Sequence, residues 1–228
     1  MKSFLFPLLL AAALPAAAAP FNEVFTFFPS TTDIPDGTTA GLADARDIIS
    51  QITTITDVNV TLNLAGTDFG GFNGDLYATL VHDSGFSVLL NRPGRDLTRP
   101  FGYSDSGLSV TLDDAAADDI HTYRLPLTGD EGIPLAGLLT GDFQPDARPT
   151  DPFSTLTGDA RSSFLASFNG LNANGEWVLF IADLELGGTL ELVSWELELT
   201  GIPEAGTVAA GATLAGLAGW TWWRRRKA

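Results

Sequence analysis

The feature that most limits how this chain can fold is a recurring alternation of apolar and polar residues. In the stretch 58–64 every second residue is Val or Leu, and the residues between them are Asn or Thr. Residues 108–112 repeat the pattern, and Trp177, Leu179 and Ile181 continue it. Because successive side chains of a strand point to opposite faces, this period of two predicts half-buried β-strands.

A further strand, predicted at 190–199, changes phase once. Its apolar residues stand at even positions up to Leu192 and at odd positions from Val193 to Leu199. A one-residue slip of this kind is what a β-bulge produces, so a bulge is expected near the change. We expect the remaining acidic residues of this strand to face solvent, namely Glu191, Glu196 and Glu198.

Turn-forming residues separate these strands. The chain has 24 Gly and 13 Pro, and about 185 residues remain between its ends, enough for one domain with a sizeable core. The fold class predicted for residues 19–201 is all-β, an antiparallel β-sandwich or jelly roll. Helical periodicity is weak, with a turn or two expected at 44–51 and 160–167. The proline-rich segment 126–162 is expected to form one long ordered loop or several short turns.

Charge and composition exclude several functions. Residues 19–203 contain 27 Asp and Glu against seven Arg and no Lys, a net charge of −20. Such a surface repels phosphate backbones, so no nucleic-acid partner is expected. The absence of Cys excludes a thiol nucleophile, a thiolate zinc site and a disulfide scaffold. The absence of lysine between residues 19 and 203 excludes Schiff-base chemistry and a P-loop.

The N-terminal residues 1–18 are typical of a secretory signal helix. Lys2 supplies a positive start, an apolar run extends from Phe4 to Leu14, and four alanines follow at 16–19. Cleavage is expected after Ala18 or a neighbouring alanine. The apolar run is too short to cross a bilayer as a permanent anchor.

The C-terminal end predicts a transmembrane helix. Residues 206–223 carry no charge, and 18 residues would span roughly 27 Å as a helix. Tryptophans cluster at the end of this span, where an aromatic belt belongs. The positive-inside rule then places the basic end in the cytoplasm and residues 19–203 outside. The basic end consists of Arg224, Arg225, Arg226 and Lys227.

Residues 202–228 as a whole resemble a known sorting signal. Pro203, Glu204 and Ala205 precede the short apolar span and its arginine-rich end. This order resembles the PEP-CTERM tail of exported bacterial proteins, in which Pro usually stands where this chain has Ala205. The resemblance implies that an exosortase-type membrane protease recognises the motif and processes the tail. A plain tail anchor is the alternative interpretation.

A second set of motifs covers about residues 50–200. Gly74-Asp75-Leu76 leads into one predicted strand, and Gly175-Glu176-Trp177 into another that ends near Asp183. With the upstream Phe168-Asn169-Gly170, this order resembles the P domain, or P/Homo B domain, that accompanies the catalytic domain of proprotein convertases and bacterial subtilisin-like proteases. The resemblance implies a β jelly roll. It departs from the family at 82–85, where a Ser-Pro turn is common.

The resemblance also suggests a metal. P domains and related jelly rolls can bind calcium through loop carboxylates, and Asp75, Asp83 and Asp183 are the residues predicted to hold it here. Oxygen ligands of this kind suit a hard cation. The alternative is that these carboxylates fix turns by accepting backbone N–H bonds. The acidic run at 113–119 is interpreted as a solvated turn.

No motif predicts an enzyme. The nearest approach to a nucleophile elbow, at 102–107, has Ser106 where the pattern requires Gly. A triad that combines Ser104 with His82 or His121 stays open as an alternative, although these histidines are expected to hydrogen-bond at strand ends.

The sequence therefore predicts an exported, non-catalytic module at the cell surface or in the extracellular matrix, processed through its tail, which binds a polysaccharide or protein. The alternative is an accessory P domain that acts with a subtilisin-like serine endopeptidase. The aromatic residues expected to form a binding surface are Phe69, Phe72, Tyr77, Phe86, Phe101 and Tyr103.

Overall fold

The computed structural model describes residues 19–66 and 70–204. Strands dominate this part of the chain, joined by loops, one short helix, α1 (Arg124–Thr128), and single turns of 3-10 helix such as Asn73–Asp75. The strands are β1 (Phe21–Phe27), β2 (Asp33–Ile34), β3 (Leu42–Ile48), β4 (Ile52–Gly66), β5 (Leu76–His82), β6 (Gly85–Asn91), β7 (Leu108–Leu112), β8 (Leu139–Phe143), β9 (Gly175–Asp183) and β10 (Leu190–Pro203).

The strands form two sheets. The larger sheet has the order β1-β10-β4-β7-β8, and β2 also pairs with β10. The smaller sheet has the order β3-β9-β5-β6. Neighbouring strands are antiparallel except for β7 and β8, which run parallel. The all-β prediction is confirmed, and this one parallel pair is the exception to the predicted antiparallel arrangement.

Both sheets contribute to one apolar core. The predicted inward residues of β4, from Val58 to Leu64, are buried, as are Trp177 and Ile181 of β9. The indole Nε1 of Trp195 on β10 donates to the carboxylate of Asp44 on β3 at 2.6 Å, which links the two sheets. The alternation of apolar residues thus predicted the buried faces of β4 and β9 correctly.

The predicted bulge lies at Val193. Leu192 is opposite Leu64 and Ser194 is opposite Asn63, so Val193 is the extra residue of β10. Its side chain is 44% exposed, whereas the prediction placed it among the inward residues. The bulge is confirmed and the orientation of Val193 was wrong, because the inserted residue itself leaves the ladder. The remaining acidic residues of β10 are half-buried on the outer face: Glu191, Glu196 and Glu198.

Two local predictions fail for the same reason. Residues 44–51 were expected to hold a helical turn, but 42–48 form β3 and pair with β9 along their full length. The segment 126–162 was expected to be loop or turns, but it contains β8. In both cases pairing with a distant strand overrides a weak local pattern. The turn expected at 160–167 is found in part, as the 3-10 helix Leu165–Phe168.

The ends of the chain are described only in part. Among residues 19–66 and 70–204 no helix is long and apolar enough to cross a membrane. The predicted signal, residues 1–18, and the predicted transmembrane span and basic end lie outside the described residues. Of the sorting motif, Pro203 is the last residue of β10, and the Glu204 N–H donates to the Gln51 carbonyl at 3.2 Å. Ala205 is outside the described range.

Candidate functional site

Two buried aspartates hold the long loops in place. Asp105 accepts hydrogen bonds from the Tyr123 hydroxyl at 2.6 Å, the Arg124 Nε at 2.7 Å and the Leu135 N–H at 2.7 Å. All three donors lie between β7 and β8, on α1 or the loops that flank it. A buried charge with this many partners is stabilised where it stands, so Asp105 is a structural residue.

Asp146 is bonded in the same way. Its carboxylate contacts the His121 Nδ1 at 2.7 Å and the Arg148 Nη1 at 3.1 Å. The other ring nitrogen of His121, Nε2, lies 3.1 Å from the Arg95 carbonyl. The histidine is fully buried, so this His–Asp pair fastens two loops together.

The predicted alternative of a Ser-His-Asp triad does not assemble. His82 has both ring nitrogens occupied by backbone carbonyls, those of Glu176 at 2.8 Å and Asn172 at 2.7 Å. Its ring also stacks on Trp177 with centroids 4.1 Å apart. Ser104 interacts instead with Arg124, whose Nη2 donates to its hydroxyl at 3.2 Å. A base that is hydrogen-bonded elsewhere cannot activate this serine.

The acidic run at 113–119 makes more bonds than a solvated turn. Asp114 accepts the N–H groups of Leu165 and Ala166 at 3.1 and 2.7 Å. Asp119 accepts the His121 N–H at 2.9 Å and forms an ion pair with Arg148. These carboxylates therefore fix the loops that flank the run.

Two of the three predicted calcium ligands converge. Asp75 immediately precedes β5 and Asp183 is the last residue of β9; the antiparallel pairing of these strands sets Leu76 opposite Asp183. The Leu184 N–H also donates to the Asp75 backbone carbonyl at 3.0 Å. The close approach of the chain before β5 to the 101–103 loop requires glycine at position 74, because a Cβ there would collide with the backbone of that loop.

The third predicted ligand lies elsewhere. Asp83 is in the tight turn between β5 and β6, exposed and with a positive φ of 50°. The full length of β5 separates it from Asp75, roughly 20 Å at the usual rise per residue. Asp75, Asp83 and Asp183 thus do not form one site. In the described part of the chain, no three His, Cys, Asp or Glu side chains are grouped closely enough to hold a metal ion.

The Asp75–Asp183 pair differs from Asp105 and Asp146 in its bonding. Asp75 is 4% exposed and Asp183 1% exposed. Neither carboxylate oxygen of Asp183 has a hydrogen-bond partner. Among the acidic residues of the described ranges, Asp183 alone has buried oxygens in this state. An ionised carboxylate without partners in such a place is costly.

Electrostatics reflect this shortage of donors. Burial raises the pKa of Asp75 to about 7, and the nearby Arg92 opposes the shift only in part. Burial, followed by the charge of Asp36, raises the pKa of Asp183 to about 7 as well. The Glu185 amide offsets part of this second shift, although it is not in hydrogen-bonding geometry with the carboxylate.

Arg92 is the cation whose charge opposes those of Asp75 and Asp183, and the sequence patterns did not reveal it. Its side chain is buried, and its Nε donates to the Gly74 carbonyl at 2.7 Å. The two terminal nitrogens contact Glu185 at 3.1 Å and Asp75 at 3.5 Å. One guanidinium thus faces several carboxylates, and the cluster keeps a net negative charge when they are ionised.

A pocket of about 320 Å³ opens beside these carboxylates. Its apolar wall comes from Phe72, Phe101 and Leu186, and the last two side chains are 63% and 82% exposed. Asp75 and Glu185 also line the pocket. Apolar walls with a few polar groups are typical of ligand sites.

Only some of the aromatic residues that the sequence predicted as a binding surface line the pocket. Phe72 and Phe101 form its wall, and Tyr103 lines it with a buried hydroxyl that has no partner. Tyr77 and Phe86 lie on β5 and β6, outside the pocket lining, and Phe69 is outside the described residues.

Comparison with known proteins finds similar solved structures but no matching family. No family model matches the chain, and no curated protein matches it. Two crystal structures concerning a serine protease of Aeromonas sobria are similar to it. One, of the complex between the protease and the chaperone, shares 15% identity over 82% of this chain with a TM-score of 0.43. The other, of the protease, shares 16% identity over 84% with a TM-score of 0.41. The chain spans 28% of the matched chain in each.

Proposed function

We propose that the chain is an exported, non-catalytic binding protein that is sorted and processed through its C-terminal tail. The observation that carries this proposal is the position of the fold along the chain, since every described strand lies between Phe21 and Pro203. Cleavage after Ala18 and beyond Ala205 would therefore remove both terminal signals and leave each of these strands in place.

The route follows from the tail. The span at 206–223 first anchors the protein, with residues 19–203 outside, and an exosortase-type membrane protease then releases it to the cell surface or the matrix. Support comes from the resemblance to PEP-CTERM tails and from the exposure of Glu204, which follows the last strand directly and is accessible to a processing enzyme.

A mass measurement tests this route. The protein is purified from its own cells and its termini are determined by mass spectrometry. We expect an N-terminus at Ala19 or a neighbouring alanine and a C-terminus close to Ala205. An intact 224–228 segment on the exported protein would contradict the processing step.

Binding without catalysis is supported by the buried polar groups. His82 and His121 have both ring nitrogens bonded within the fold, and neither contacts Ser104. The pocket beside Asp75 instead combines exposed apolar side chains with carboxylates, a composition suited to ligand capture. We assign the binding role to this pocket.

A second candidate is an accessory P domain that acts with a separate subtilisin-like serine protease. The observation in its favour is that two distant parts of the P-domain motif become neighbours, because Leu76 pairs with Asp183. On this hypothesis the two sheets form the jelly roll of that family, and the pocket contacts the protease.

One crosslinking experiment separates the two candidates. A photo-reactive side chain is placed at Leu186, on the pocket wall, with Asp142 on β8 as an exposed control position. Adducts specific to position 186 that contain a subtilisin-like protease support the accessory role. Adducts with another surface component support the independent binding role, and equal adducts at both positions contradict a binding role for the pocket.

A further inference from the structure

The pocket beside Asp75 carries a specific excess of negative charge. Asp75 and Glu185 line it, and Asp183 and Asp36 lie close enough to influence Asp75. Arg92 opposes these charges directly, through bonds to Gly74, Asp75 and Glu185. Two further arginines lie over the ring of the lining residue Tyr103, and each is paired with carboxylates outside the pocket lining: Arg124 with Asp105, and Arg99 with Asp96 and Glu131. A complementary ligand would therefore be positively charged.

Buried polar atoms without hydrogen-bond partners lie in and beside this pocket. Both oxygens of Asp183 are buried without a donor, and the hydroxyl of Tyr103, a lining residue, is buried without a partner. Buried polar groups are almost always hydrogen-bonded in folded proteins. A cation with N–H donors in the pocket would reach the hydroxyl of the lining residue Tyr103, whereas Asp183 lies outside the lining and would act on it through its charge beside Asp75.

The wall of the pocket restricts what can carry that charge. Phe72, Phe101 and Leu186 offer apolar surface, and an aromatic face attracts an organic cation. A sugar presents hydroxyl groups around its whole ring, and the side chains free to bond them are confined to Asp75, Glu185 and Tyr103, since Ser104 is already bonded to Arg124. An alkyl stem that ends in a cationic head matches the lining better.

We propose that this pocket binds a lysine or arginine side chain presented by a partner protein, with the apolar stem against Phe72, Phe101 and Leu186 and the cationic head at Asp75. The inference rests on the proposed binding role of the pocket and adds the chemistry of its ligand. Arg92 shows that the site accepts such a group, because it already holds a guanidinium between Asp75 and Glu185.

Calcium is the competing occupant, since the sequence predicts it at Asp75 and Asp183. Calcium takes six to eight oxygen ligands. The structure brings together only two of the three predicted carboxylates and sets the guanidinium of Arg92 beside Asp75. These contacts favour the organic cation, and the experiment below includes calcium as a separate arm.

The test uses the full chain and short blocked peptides. The probe is Ac-Gly-Lys-Gly-amide, and its neutral partner carries norleucine in place of lysine. Binding is followed by NMR titration. We expect the lysine peptide to bind, with affinity about tenfold weaker in Asp75→Asn and in Phe101→Ala, and the norleucine peptide to bind far more weakly.

A matched variant controls for general attraction to an acidic protein. Asp142→Asn removes the same charge from an exposed position on β8, away from the pocket lining. We expect its affinity to stay within about twofold of the wild type. An equal loss in Asp142→Asn and Asp75→Asn would overturn the proposal, because attraction would then be diffuse.

Further arms separate failure of this inference from failure of the proposed function. Equal binding of the norleucine peptide, still weakened by Phe101→Ala, would reject the cationic ligand and keep the pocket as a binding site. Displacement of the peptide by calcium chloride but not by magnesium chloride, or tighter binding of glucosamine oligomers, would replace the proposed ligand. No response of the pocket to any of these probes would reject the inference, while the processing of the tail is tested independently by mass spectrometry.

Discussion

The molecule buries carboxylates in two regions, and the two regions differ in how many hydrogen bonds the carboxylates receive. In the loops that flank β7 and β8, Asp105 receives three hydrogen bonds and Asp146 contacts both His121 and Arg148. At the junction of β5 and β9, Asp183 receives none. Carboxylates that are buried to a similar extent are thus fully hydrogen-bonded in one region and unbonded at Asp183 in the other. The first set is part of the scaffold, and the second is the set to which we assign ligand binding as a proposal.

This difference identifies the candidate site better than charge does. Asp and Glu are spread along the whole chain, so an acidic residue by itself indicates little. A buried carboxylate without donors lowers stability, and such groups are found where function requires them. The following predictions test the comparison, from the largest expected effect to the smallest.

Asp105→Asn tests whether the fully bonded carboxylates are structural. The amide would leave Arg124 without its buried counter-charge and would turn an N–H₂ group toward donors. We expect a loss of about 3–5 kcal/mol in the free energy of unfolding, measured by urea denaturation. A loss below about 1 kcal/mol would show that these bonds are not structural.

The pH dependence of stability tests the ligand side. The pKa values of Asp75 and Asp183 in the folded protein are about 7, above the ordinary value of 3.8. Because the folded-state pKa is the higher one, the neutral carboxyls contribute stability that is complete below about pH 4 and is lost progressively as the pH rises from there to about 7. We expect the free energy of unfolding to fall by about 2–3 kcal/mol for each of the two carboxyls between about pH 5 and 8.

The double variant Asp75→Asn/Asp183→Asn isolates that effect, because it removes both titrating groups. The difference between wild type and double variant should grow with pH over the same interval. A difference that is constant from about pH 5 to 8 would contradict the assignment.

Asp183→Asn alone should stabilise the protein, which is the reverse of the effect at Asp105. The neutral amide keeps the shape and removes an unpartnered charge that the charges of Asp36 and Glu185 disfavour. We expect a gain of about 1–2 kcal/mol at about pH 8, seen as a higher melting temperature. A loss of stability would mean that Asp183 is a scaffold residue.

Asp142→Asn sets the scale for a surface carboxylate. Its side chain is exposed on β8. We expect a change within about 0.5 kcal/mol in urea denaturation. A larger change would show that general charge, and not the local environment, dominates the other results.

The sequence predicts the fold where the signal is local. Alternation at 58–64 and 177–181 depends only on which residues face the core, and the structure confirms it. The bulge near Val193 was visible because one inserted residue shifts every later side chain to the other face. By contrast, β3 and β8 are strands because of pairing partners far along the chain, which no local period records.

The candidate site was predictable only in part. The motif resemblance selected Asp75 and Asp183, and antiparallel pairing brings them together. Asp83 was added by its residue type, and the length of β5 separates it from the others. Arg92 contacts Glu185, 93 positions away in the chain, so no spacing rule could indicate it. The unbonded state of Asp183 depends on every surrounding donor and is visible only in three dimensions.

The most direct test of the account measures Asp183→Asn for stability and for binding of Ac-Gly-Lys-Gly-amide in the same preparation. The account predicts a higher melting temperature together with an affinity about tenfold weaker than that of the wild type. Unchanged affinity in the stabilised variant, or weaker binding in a variant that has lost stability, would contradict the claim that the unpaired charge of Asp183, beside Asp75, contributes to ligand binding.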